Sequence, residues 1–99
     1  MKKWSVILSP KATIQIREAA LYYNSKSKGL GKRFHGEINI CLKQLVVNPY
    51  FQIRYDEIRC LPVKVFPYML HFDLNEDLQK VMVYAVICSL QNPDDYWVK

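Results

Sequence analysis

"RCLPVKVFPYMLHF", residues 59 to 72, is rich in branched and aromatic residues, yet holds Pro62 and Pro67 where an uninterrupted central strand would need every N–H. The stretch therefore divides into two strands around a tight turn at Phe66-Pro67, where the fixed φ of proline favours the bend and its missing N–H costs no ladder bond. Pro62 then belongs at an edge or bulged position of the first strand. Downstream, Tyr68, Leu70, Phe72 and Leu74 alternate with Met69, His71 and Asp73, so one face of this strand meets a core and the other meets solvent or a partner. With Asn75 to Gln79 as a turn and Val81 to Ile87 as a further strand, residues 59 to 87 read as a three-strand meander over 59–65, 68–74 and 81–87. The last of these is apolar on both faces apart from Tyr84, which suits an internal position.

The first half has a different period. Trp4 to Leu8 has strand residues, and Ser9-Pro10 supplies a capping hydroxyl followed by proline at the first helical position. Ile16, Ala19, Ala20 and Tyr23 then share one helical face, which predicts a helix over about residues 10 to 26. Leu30, Phe34, Ile38, Leu42 and Leu45 form a second stripe that ends at Asn48-Pro49. Two amphipathic helices across a short loop make an antiparallel hairpin.

Composition sets the outer limits. The 99 residues, 51% hydrophobic and 23% charged, suit one folded domain over residues 1–99 and argue against disorder. The apolar run after Lys2-Lys3 is too brief for a signal peptide or a membrane span, which makes the cytosol the expected location. Cys41, Cys60 and Cys88 are odd in number and widely spaced, so they predict core residues rather than a disulfide framework or a zinc site. Net charge is +5, and seven of the Lys and Arg residues fall between Pro10 and Pro49 against two Glu, so the helical half is the basic half. Lys26, Lys28, Lys32 and Arg33 cluster about Gly29 and Gly31, a surface suited to phosphates or to an acidic protein partner.

The order strand, two helices, three strands, together with Leu8-Ser9-Pro10, Tyr22-Tyr23, Asn48-Pro49, Arg59, Phe66-Pro67-Tyr68, Ala85-Val86, Asn92-Pro93 and Trp97, resembles the RelE/ParE family of toxins from bacterial type II toxin–antitoxin modules. Members include plasmid stabilisation proteins. The resemblance implies an α+β fold, β-α-α-β-β-β, with the helical hairpin packed on one face of a mainly antiparallel sheet. It implies a cytoplasmic toxin that needs no cofactor and is neutralised by a cognate antitoxin. Its target would be ribosome-bound mRNA, which RelE-like members cut without a metal, or DNA gyrase, which ParE-like members poison.

For the cleaving activity, cationic and tyrosyl groups must converge on the face of the sheet away from the helices, to hold the phosphate and move protons. The candidates are Arg59 as phosphate clamp, Lys64, His71 as proton carrier, and Tyr96. Lys26, Lys28, Lys32, Arg33 and Tyr68 are candidate binding residues, and no metal ligands are expected. Cys88-Ser89-Leu90-Gln91 departs from the cationic residues that nuclease members carry near the end of the last strand. That departure keeps open a toxin fold without catalysis that only holds an antitoxin.

Overall fold

The computed structural model describes residues 3–89. Its elements are β1 (Ser5–Leu8), α1 (Pro10–Lys26), α2 (Leu30–Val47), β2 (Ile53–Tyr55), β3 (Ile58–Pro62), β4 (Tyr68–Asn75) and β5 (Lys80–Cys88). The strands form one sheet in the order β1-β5-β4-β3-β2, with β1 parallel to β5 and every other pair antiparallel. The expected α+β order is present, with one added strand. β5 is internal, as its two apolar faces require, and β4 is the middle strand.

Ser9 joins the two layers. Its hydroxyl accepts from the Ala12 N–H at 3.0 Å, which caps α1, and donates to the Tyr84 carbonyl at 2.7 Å. β1 reaches only as far as Val83 along β5; beyond it the side-chain oxygen of Gln15 accepts from the Val86 N–H at 2.8 Å. The first turns of α1 thus complete the edge of β5 that β1 leaves unpaired.

The helices pack closely because of two glycines. Gly29 takes φ 85 at the hairpin turn, and a Cβ on Gly31 would run into the Ala20 carbonyl. The side-chain oxygen of Asn24 accepts from the N–H groups of both glycines at 3.2 Å. Inward-facing Ala12, Ile16, Ala19 and Ala20 of α1 and Phe34, Ile38, Cys41 and Leu45 of α2 meet Leu61, Leu70, Phe72, Val81, Val83 and Val86 of the sheet.

Two details correct the expected strands. β3 ends at Pro62 rather than at 65, because Val63 N–H bonds back to the Tyr68 carbonyl at 2.9 Å and Val65 takes φ 75, closing a turn over the residues between. Phe66 is the anchor of this turn, 6% exposed, with its ring 4.7 Å from Tyr23 and 5.1 Å from Phe34. Pro62 pairs with Met69 on one side, while β2 reaches only Arg59 on the other, so the proline sits on a locally free edge. On β5, His71 faces Ala85 and Phe72 faces Val83, which leaves Tyr84 as an extra residue. This bulge reverses the alternation of β5, so that Val81, Val83 and Val86 all point into the core.

Candidate functional site

The face of the sheet away from the helices carries its polar groups. On β4, residues with odd numbers point there: His71 pairs with Cys60 on one side and Ala85 on the other. This face is closed at its centre, since His71 is 2% exposed and Cys60, Ala85 and Ile87 are also buried. The Tyr55 hydroxyl lies 2.9 Å from His71 Nδ1, and the Cys60 thiol lies 3.6 Å from the same nitrogen. Burial, then the nearby Arg54 and Lys11, lowers the His71 pKa to about 4, while burial raises that of Cys60. At neutral pH the pair is therefore a neutral imidazole beside a protonated thiol. That combination neither clamps a phosphate nor makes a thiolate nucleophile.

Two clefts open on this face, one of them floored by His71, Ala85 and Ile87 themselves, and they share Asp73 and Tyr84, whose hydroxyl donates to the Asp73 carboxylate at 2.8 Å. That hydrogen bond is also the main reason the Tyr84 pKa is raised. The cleft of about 610 Å³ runs toward the β4–β5 turn past Ile7, Met82 and Glu76; the cleft of about 550 Å³ runs past Ser9, Lys11 and Ile58 to Tyr55. Asp73, Glu76 and Asp77 line the first together with Lys80, and Lys11 lines the second together with Asp56 and Asp73. Such a surface suits a polypeptide with mixed charge better than a polyphosphate chain.

The expected convergence of cleaving groups does not occur among the described residues. Arg59 pairs with core-facing Phe72 and so lies on the helix side of the sheet, opposite to His71. Its guanidinium donates to the Phe51 carbonyl at 2.8 Å and sits 5.5 Å from the Tyr50 ring centre. Arg59 buttresses the segment between α2 and β2. Lys64 is exposed in the β3–β4 turn, away from both. Tyr96 lies outside the described residues, as do Leu90 and Gln91, Asn92-Pro93 and Trp97. Cys88 ends β5 opposite Tyr68, and Ser89 N–H bonds to the Pro67 carbonyl at 2.7 Å.

The proposed binding residues divide. Lys26, Lys28, Lys32 and Arg33 are all exposed about the hairpin turn, with the Lys26 ammonium 5.2 Å from the Tyr22 ring centre. Tyr68 instead faces the core, 5.2 Å ring to ring from Phe34, and burial is the first cause of its raised pKa. It also lines a cleft of about 330 Å³ with Tyr22 and Cys88.

Sequence reasoning missed Tyr55, Cys60 and the Asp73–Tyr84 pair. One signal was present: Arg59, Leu61 and Val63 share a parity, and the two aliphatic residues mark the core side. Among the described residues no three His, Cys, Asp or Glu side chains gather as a metal site, and no helix is long and apolar enough to cross a membrane.

A helical hairpin laid over one face of a five-stranded, mainly antiparallel sheet is an α+β fold of the RelE/ParE kind. The chain is similar to one in a solved structure described as "Chromosomal ParDE TA system from P. aeruginosa", with a TM-score of 0.68 over 84% of this chain and 92% of that one, at 16% identity. No family model and no curated protein matches the sequence.

Proposed function

We propose that the chain is the toxin component of a type II toxin–antitoxin module, neutralised by a cognate antitoxin, and that it arrests growth through contact with DNA gyrase rather than by cutting ribosome-bound mRNA. The fold shared with a ParDE chain carries the toxin reading. The separation of Arg59 from His71 favours gyrase, because phosphate cleavage needs charge and proton transfer at one point. The mixed-charge clefts either side of Asp73 and Tyr84 are a suitable protein-binding surface.

Induced expression of the chain alone, followed by a supercoiling assay and a ribosome-dependent cleavage assay on the purified protein, tests this. Growth arrest with blocked supercoiling is the expected result. Arrest with mRNA cleavage would transfer the reading to translation. Normal growth at good soluble yield would instead favour a fold that only holds an antitoxin, the reading to which the uncharged Cys88-Ser89 end of β5 lends support.

A further inference from the structure

Residues 19–36 and residues 58–72 contain no Asp or Glu. The fold brings the exposed parts of these two stretches to one end of the molecule. Phe66, in the turn between β3 and β4, sets its ring against Tyr23 near the end of α1 and against Phe34 near the start of α2. Lys64 therefore stands beside the hairpin tip that carries Lys26, Lys28, Lys32 and Arg33. All five cations are exposed, and among the described residues none makes an ion pair.

This end holds charge out instead of burying apolar area. From Lys26 to Arg33 the exposed side chains are Lys, Ser and Arg alone, and none of the five cations lines a cleft described above. The turn that carries Lys64 is fixed at some cost. Val65 takes φ 75, an unfavourable conformation for a β-branched residue. Buried Phe66, the Val63 N–H on the Tyr68 carbonyl and the Ser89 N–H on the Pro67 carbonyl hold it there. Strain of this kind concentrates where a segment meets a ligand. A peptide would need apolar anchors set in recesses, whereas a group of bare cations fits a regularly charged polyanion.

We propose that this end of the molecule seats the phosphodiester backbone of duplex DNA, with the hairpin cations and Lys64 on its phosphates. Such contacts position a protein on a duplex without reading its sequence. The preference for DNA over RNA rests on the gyrase reading, since gyrase works on a DNA duplex; the charge argument does not.

The test is fluorescence anisotropy of a labelled DNA duplex of about 20 base pairs titrated with the full chain, without gyrase, between about 50 and 200 mM NaCl. Four phosphate contacts would lower the affinity about a hundredfold across that range. Lys28→Glu and Lys64→Glu should each weaken binding about fivefold or more at the lower salt with the melting temperature unchanged. Lys43→Glu, the same change of charge toward the other end of α2, should alter it less than about twofold. Equal weakening in all three variants, affinity indifferent to salt, or no binding at the lower salt would overturn the proposal. Tighter binding of an RNA duplex of the same sequence, or of a polyglutamate peptide of equal charge, would overturn it too by assigning this end to another partner. A chain that binds the DNA duplex as expected but does not block supercoiling would uphold this contact and remove the gyrase reading.

Discussion

The two faces of β4 are buried to nearly the same degree and are built from different materials. Toward the helices stand Leu70 and Phe72, both fully buried among hydrocarbon; toward the other side stands His71, 2% exposed and tied to a tyrosine hydroxyl. Burial alone therefore does not separate core from site. The distinction lies in what would be lost. The first face contributes stability by removing apolar area from water, and the second keeps a titratable group in an environment that disfavours its charge.

The largest test of this contrast is Phe72→Ala, which should destabilise the chain by about 3–5 kcal/mol in urea unfolding, since the rings of Phe72 and Phe51 and the helical layer cannot close over the gap. A smaller loss would mean that the helix-side face is loosely filled. Next comes pH. His71 titrates near 4 when folded against 6.5 otherwise, so it imposes no penalty above pH 6.5. Below that the unfolded chain takes up a proton that the folded chain does not, and stability should fall by up to about 1.4 kcal/mol per unit down to pH 4. His71→Leu should flatten this part of the profile, and an unchanged slope would assign it to carboxylates elsewhere.

Arg59→Ala should lower stability by about 1.5 kcal/mol through the lost bond to the Phe51 carbonyl. Urea titration checks it, and growth assays should show toxicity declining only as far as soluble protein does. Abolished toxicity at full stability would return Arg59 to a catalytic role. The smallest effect is expected from Tyr84→Phe, below about 1 kcal/mol, because the Asp73 carboxylate it releases is within reach of water. A larger loss would show that the ridge between the clefts supports the fold.

The helical half was legible in the sequence because its signals are periodic and capped: Ser9-Pro10 starts α1, Asn48-Pro49 ends α2, and the stripes between them mark the buried sides. The Phe66-Pro67 turn was legible for the same local reason. β2 was not. It has three residues, and its hairpin to β3 turns on Asp56 and Glu57 with φ 42 and 66, a conformation that asparagine and glycine usually signal. The bulge at Tyr84 was equally silent, since Val83, Ala85, Val86 and Ile87 are apolar whichever way they point. The candidate site was least legible where sidedness mattered. Arg59 and His71 differ by twelve in sequence and by strand parity, and only the pairing of Arg59 with Phe72 reveals that they face apart.

The grip of Ser9 on the Tyr84 carbonyl fastens the start of α1 to the bulge of β5 through the same hydroxyl that caps the helix. One small side chain is thus a rivet through both layers, and its removal would strip the helix start and the bulged strand of a partner in one stroke.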